Sequence, residues 1–211
     1  MSINYEGINL LQIVIASKNT GKIKEIRSFY HDLIRVEWLT FKDFKKFPDV
    51  GEKGSSFLEN ARLKARSISL HTNKITLADD SGLEVDFLGG RPGVKSSRYT
   101  GVDVTDKQNR DKLLKEMENA RKISDRTARF VCSMVLWDPG KGSIFETRGI
   151  CEGFIGFEEK GTGGFGYDCI FIPTGYKKTM AQLTQKEKNN ISHRGKALEA
   201  LYKFILTTPH T

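Results

Sequence analysis

The sequence predicts a mixed α/β fold, a long sheet with helices on its faces and not a simple parallel doubly wound sheet. Two observations carry this. Short apolar runs alternate with amphipathic helical segments through the first half of the chain, and a long two-stranded hairpin then interrupts the alternation. The 211 residues, 38% of them hydrophobic, allow one domain or two lobes sharing a sheet, with a core that needs no disulfide or metal.

The elements follow in order. Residues 11–16, LQIVIA, read as a buried strand. The polar stretch SKNTGK leads into an amphipathic helix with Ile23, Ile26 and Phe29 on one face. Residues 34–39 read as a second strand. Residues 55–70 read as a helix that buries Phe57, Ala61, Ala65 and Ile68 and turns Arg62, Lys64 and Arg66 elsewhere. Residues 75–78 are the expected central strand, ended by Asp79, Asp80 and a Ser-Gly turn; residues 83–87 then alternate as a further strand before a Gly-Gly-Arg-Pro-Gly loop. Thr105 caps a helix reaching Met117, with Leu113, Leu114 and Met117 packed inward. Residues 128–137 and 143–151 form the hairpin, with Phe130, Cys132, Met134 and Leu136 on one face. Its turn is Asp138-Pro139-Gly140, where Pro fixes φ and Gly permits positive φ. Residues 169–172 are a last short strand. Thr184 and Glu187 form a capping box, and Ser192 caps a final helix that buries Ala197, Leu198, Leu201 and Ile205.

Composition narrows the functional classes. Cys132, Cys151 and Cys169 are odd in number and lack C-x-x-C spacing, which argues against a disulfide framework or structural zinc and suits a reducing cytoplasm. Residues 1–10 lack the basic start and apolar block of a signal peptide, and no apolar run is long enough to span a bilayer. A net charge of +8 serves solubility or a polyanionic ligand. The basic residues are scattered, apart from pairs such as Lys45-Lys46 and Lys177-Lys178, with no arginine-rich tail or interleaved aromatic stripe. That pattern favours a small phosphorylated ligand over long nucleic acid.

Several clusters bear chemistry. Neighbouring strand residues face opposite sides, so Asp79 and Asp80 cannot both enter one cleft. Asp80, beside the expected turn, is the candidate; Asp79 would face away and bond backbone or a neighbouring loop. The plainer alternative is that both acids only end a strand. At residues 17–22 a helix start offers free N–H groups to a phosphate, Ser17 and Asn19 add side-chain donors, and Lys22 adds a charge. No Walker pattern is present, and an ordinary strand–helix turn is the alternative. Glu52 precedes a helix and would cap it, the role the local sequence favours, or join Asp80 at a magnesium ion. In GTGGFGYD, Phe165 and Tyr167 offer ring faces to a base and Asp168 accepts N–H donors from its edge, unless the rings are core, as Phe165 taken alone suggests. Lys188 and Arg194 donate but cannot accept, so beside His193 they suit a carbonyl oxygen and oppose an exocyclic amine; a lone histidine at a helix start otherwise caps it or faces solvent.

Together SKNTGKIKE (17–25), ENARLKA (59–65), ADDSGLEVDFLGGRPGVKSSRYTG (78–101), GTGGFGYD (161–168) and KNNISHRGKAL (188–198) resemble the RdgB-like inosine triphosphate pyrophosphatases, or non-canonical purine NTP pyrophosphatases. Two positions depart from that family's pattern: Cys169 stands where proline usually follows FGYD, loosening the backbone there, and Gln182 stands where glutamate is common, removing a charge that could pair. The resemblance implies a single domain of two lobes around a long sheet with the cleft between them, usually a homodimer. It implies Mg²⁺-dependent hydrolysis of ITP, dITP and XTP to the monophosphate and pyrophosphate. Residue by residue, it assigns Ser17, Lys18, Asn19, Thr20, Gly21 and Lys22 to the phosphates, Glu52 and Asp80 to Mg²⁺, and Asp80 to proton acceptance. Ser81 would touch the substrate. Phe165, Gly166, Tyr167, Asp168, Lys188, His193 and Arg194 would hold the base.

An ordinary aspartate, with a pKa of about 3.9, is too weak a base for bulk water, so Asp80 would act together with a metal ion. Guanine shares the six-keto oxygen, so donor matching alone does not exclude GTP. Two other classes remain open from sequence: a non-catalytic binder of nucleotides or single-stranded nucleic acid, and a hydrolase of the same fold acting on a modified pyrimidine triphosphate. The acids Glu52 and Asp80 suit the binder poorly, since they repel phosphate without a cation.

Overall fold

The computed structural model describes residues 11–30 and 36–207. Residues 1–10 and Ile34, the expected start of the second strand, lie outside them. Strand β1 (Leu11–Ile15) runs parallel between β2 (Val36–Leu39) and β3 (Ile75–Val85); β4 (Thr127–Asp138), β5 (Gly142–Ile155) and β6 (Phe171–Pro173) extend the sheet antiparallel in the order β2-β1-β3-β4-β5-β6. The mixed sheet is therefore as predicted.

Period-two alternation sorts side chains to the two faces. Ile13, Ile15, Leu77, Cys132, Met134 and Leu136 pack against α1 (Thr20–Phe29) and α5 (His193–Thr207). Val14, Ala78 and Val135 pack against Ala61, Ala65 and Ile68 of α2 (Phe57–Thr72) on the other face. Further along, Leu83, Val85, Phe130 and Ile155 join Leu113 and Met117 at the end of α3 (Asp106–Glu116). Each fully buried Leu or Ile contributes about 1.5–3 kcal/mol relative to exposure, so these three clusters hold the helices to the sheet. Three caps fall where expected: Thr105 on α3, Thr184 with Glu187 on α4 (Gln185–Ile191), and Ser192 Oγ accepting from Gly195 N at 3.0 Å; α2 is capped by Ser56.

Three expectations need correction. Asp79, Asp80, Ser81 and Gly82 do not make a turn; they lie inside β3, paired with Met134, Ser133, Cys132 and Val131 of β4. Gly82 is there for space, because a Cβ would strike the Gly93 carbonyl oxygen at 2.6 Å and the Ser96 hydroxyl. The last strand is shifted, beginning at Phe171 and not Cys169. In the hairpin turn, Asp138 Oδ1 accepts from Gly140 N (2.8 Å) and Lys141 N (2.9 Å), and the positive φ falls at Gly142, not Gly140.

One feature of register places the cleft. β1 pairs with β3 only from Ile13↔Ile75 to Ile15↔Leu77, whereas the β3–β4 ladder continues to Val85↔Ala128. Beyond Leu77 the sheet opens on that side, and the chain leaving β1 turns into residues 17–19. A crevice outside the carboxyl end of a parallel strand is the usual ligand position in open α/β sheets.

Candidate active site

A cavity of about 360 Å³ lies in this opening. Its wall takes Ser17, Lys18, Asn19 and Lys22 from the β1–α1 turn, Glu52, Lys64, Asp80 and Ser81 from the middle of the fold, and Phe165–Asp168, Lys188, His193 and Arg194 from the last third of the chain. Two residues expected in the wall are outside it. Thr20 is exposed at the first position of α1. Gly21 packs against Phe165, where a Cβ would meet the ring at 2.9 Å.

The turn is partly self-satisfied. Asn19 caps α1 by accepting from Lys22 N at 3.1 Å, so its side-chain oxygen is an acceptor in use and only its amide N–H groups are donors. Ser17 Oγ accepts from Asn19 N at 3.1 Å and keeps its own proton to donate. Lys18 points toward Asp49, at 3.7 Å.

Asp79 and Asp80 do face opposite sides, but Asp79 bonds neither backbone nor loop. Its Oδ2 receives Lys22 Nζ at 3.0 Å and Arg194 Nη2 at 3.1 Å, with Ser81 Oγ at 3.3 Å. Burial opposes its charge, yet Lys22, Arg194 and Lys64 outweigh burial and hold the carboxyl far below the usual range. Asp80 sits on the other side, where Asn60 Nδ2 donates to Oδ2 at 3.0 Å and Lys64 Nζ to Oδ1 at 2.9 Å. Burial pushes its pKa up, Lys64 pulls it down, and nearby Glu52 pushes it up again, leaving it raised. Asp80 is thus the more basic of the two acids.

Glu52 does not cap α2; Ser56 does, which leaves the Glu52 carboxylate for Lys64 (3.2 Å) and Arg98 (2.5 Å). Glu52 and Asp80 therefore meet, each offering one oxygen to the same ammonium. Two carboxylate oxygens around one cationic point suit magnesium, which takes one or two carboxylates and completes its shell with water and phosphate. Among the described residues no group of three or more His, Cys, Asp or Glu could hold a metal.

The other end is a buried ion network. Lys188 Nζ lies 2.7 Å from Glu25 and 2.8 Å from Asp168; Arg194 bonds Glu25, Asp79 and Ser81. Asp168 also accepts from Phe165 N at 3.0 Å, so it orders its own loop. α5 reaches this spot because Gly149 on β5 has no Cβ; one would collide with the His193 carbonyl. His193 neither caps nor faces solvent. It is buried, stacked on Phe130 at 4.8 Å, and its Nδ1 has no partner. Burial, then Arg194 and Lys188, hold its pKa well below 6.5, so it is neutral. Phe165 is not core: it is half-buried in the wall, with Lys188 Nζ 5.3 Å from its centroid. Tyr167 is the core ring, buried among core residues while lining the wall, its hydroxyl donating to Ser96 O at 2.9 Å. Gly166 lines the wall with N–H and carbonyl already bonded to Asp106 and Arg110.

Sequence reading gave no role to Glu25, Asn60, Lys64 or Arg98. Two signals were present. Glu25 lies on the apolar face between Ile23 and Ile26, and Asn60 and Lys64 are four apart on α2, which puts both on the same side facing Asp80. Of the departures, Gln182 accepts from Thr179 N at 2.9 Å and completes a capping box, so a neutral side chain does the local work. Cys169 packs half-buried against the core, and its carbonyl accepts from Lys160 N at 2.8 Å.

Residues 13–204 match the model of the Ham1 family. The dITP/XTP pyrophosphatase of Oceanobacillus iheyensis is 46% identical over 197 residues, covering 93% of this chain and 98% of that protein. That of Streptococcus pneumoniae is 44% identical over 189 residues, 90% of this chain and 94% of that one. Among solved structures, a HAM1 protein from Coxiella burnetii superposes with a TM-score of 0.85 at 40% identity, covering 94% of this chain and all (100%) of that one. The Ham1 protein of Staphylococcus aureus gives 0.81 at 40% identity, with 92% and 97% covered.

Proposed function

This chain belongs to the Ham1 family, and from that premise we propose that it is a nucleoside-triphosphate pyrophosphatase that cleaves ITP, dITP and XTP at the α-phosphorus. The products would be the nucleoside monophosphate and pyrophosphate, and the role a cleansing of the nucleotide pool. The observation that carries this is the meeting of Glu52 and Asp80 in one cavity whose wall also holds Ser17, Asn19, Lys22, Lys188 and Arg194.

Glu52 and Asp80 would hold Mg²⁺. A bound magnesium ion would neutralise phosphate charge and acidify a water molecule. Asp80 would take the proton from that water at its carboxylate. Lys22 and the donors of Ser17 and Asn19 would orient the phosphates, with Lys22 steadied by Asp79.

At the base end, Lys188 uses two of its three N–H donors on Glu25 and Asp168, and Arg194 uses four of its five on Glu25, Asp79 and Ser81. One donor each is left. A six-keto oxygen would satisfy such a donor, whereas the amine of adenine would oppose it, a mismatch worth roughly 10⁴-fold in favourable cases. The Phe165 ring would cover the base face. We read the protein as a single domain of two lobes, a homodimer, working in the cytoplasm; its cysteines are free among the described residues. No described helix is long and apolar enough to cross a membrane.

Chromatography of an ITP digest tests the reaction. IMP and pyrophosphate are expected, abolished by EDTA; IDP and orthophosphate as first products would refute attack at the α-phosphorus. A panel of ITP, XTP, GTP, ATP and dUTP separates the purine reading from a pyrimidine one.

A further inference from the structure

Glu52 and Asp80 are held in the same manner. Asn60 fixes Asp80 Oδ2 at 3.0 Å, and Arg98 fixes Glu52 Oε2 at 2.5 Å while also reaching the Glu52 carbonyl at 3.2 Å. The other oxygens, Asp80 Oδ1 and Glu52 Oε1, converge on one atom, Lys64 Nζ, at 2.9 and 3.2 Å. Lys64 arrives there one helical turn beyond Asn60, with its side chain 12% exposed. Each carboxylate thus has one oxygen clamped and one on offer, and the offered pair already encloses a cation.

We propose that Lys64 is a built-in placeholder for the divalent metal: its ammonium keeps Glu52 and Asp80 facing each other in the metal-free protein and must release both oxygens before a metal ion can bind them. This rests on the reading of those two carboxylates as the metal's ligands. The chemistry favours Lys64 as the exchangeable member. An ammonium and a dication cannot share one point between the same oxygens, and a compact charge on a four-carbon stem moves aside more readily than a forked guanidinium fixed at two places. Asn60 and Arg98 are positioning residues that stay on the outer oxygens and hold the pair in place for either occupant.

The proposal gives opposite signs for neighbouring side chains. Mn²⁺ is titrated into the full-length, nucleotide-free protein, and free ion is read by electron paramagnetic resonance. Lys64→Met is expected to tighten Mn²⁺ binding by about tenfold, a shift of about 1.4 kcal/mol. Arg98→Met and Asn60→Ala are expected to weaken it by about tenfold or more. Without metal, Lys64→Met should melt lower than the parent protein and recover more on adding Mn²⁺. Lys64→Gln, equally neutral and polar, serves if Lys64→Met does not fold. Unchanged or weaker Mn²⁺ binding in the Lys64 variants overturns the placeholder. Glu52→Gln separates the two levels. If it leaves Mn²⁺ affinity intact, the ligand assignment itself fails; if it weakens binding while the Lys64 variants do not tighten it, only the placeholder fails.

Discussion

The two ends of the cleft carry similar charges and treat them in opposite ways. At one end Glu25, Asp79 and Asp168 face Lys22, Lys188 and Arg194, and none of these side chains is more than 14% exposed. At the other, Glu52 and Asp80 face Lys64 and Arg98; Lys64 and Asp80 are as buried as the first set, at 12% and 6%, but Glu52 is 28% and Arg98 34% exposed. The sealed set draws on α1, β3, the glycine-rich loop, α4 and α5, and its partners have few other options. The open set hangs partly on residues 44–56, which have no regular secondary structure beyond single turns. Burial on every side makes a charge network a fixed frame; a network with one exposed edge, here Glu52 and Arg98, has a side from which its occupant can be exchanged.

The largest effect is expected at the open end. Asp80→Asn should cut turnover by about 10³-fold or more while nucleotide binding persists, measured by steady-state hydrolysis beside equilibrium dialysis. Retained activity would remove Asp80 from the reaction. At the sealed end the same change one residue earlier should act on stability. Asp79→Asn leaves Lys22 and Arg194 facing a neutral group in the interior and should cost about 3–5 kcal/mol in urea unfolding. A loss far below that would mean the network is not sealed.

Proton uptake sharpens the contrast further. His193 is held neutral in the fold, with a pKa well below its unfolded value of about 6.5. The unfolded chain therefore binds a proton that the folded chain refuses, and stability should fall as pH drops below about 6.5, by up to about 1.4 kcal/mol per pH unit. Urea midpoints across that range should show the slope, and His193→Gln should flatten it. The smallest effect belongs to the half-exposed pair: a double-mutant cycle between Glu52 and Arg98 should give at most about 1 kcal/mol of coupling. A much larger value would make the open end as rigid as the sealed one.

Much of this was legible in the chain. Apolar periodicity located β1, α1, α2, the hairpin and α5, and cap residues fixed several helix starts. Asp80, Glu52, Lys188 and Arg194 were all singled out, and they share one cavity. The failures have physical causes. Ser81-Gly82 looked like a turn because glycine serves both turns and close packing, and only the chain at residues 93–96 says which. Asp79 was expected to bond backbone because its partners lie far along the sequence, Arg194 being 115 positions away. Lys64 is only placed off the buried face of its helix, because helical spacing tells which way a side chain leaves the helix, not whether an acid waits there.

The Glu25–Arg194 pair spans 169 of the chain's 211 positions. During synthesis, Glu25 and Asp79 leave the ribosome long before the guanidinium that bonds them both. The wall of the cavity is therefore among the last features to come into existence, and a product truncated ahead of α5 would leave Asp79 with Lys22 and Glu25 with Lys188 but without the guanidinium that joins the two acids. The closing of that wall and completed translation are tied together by one arginine.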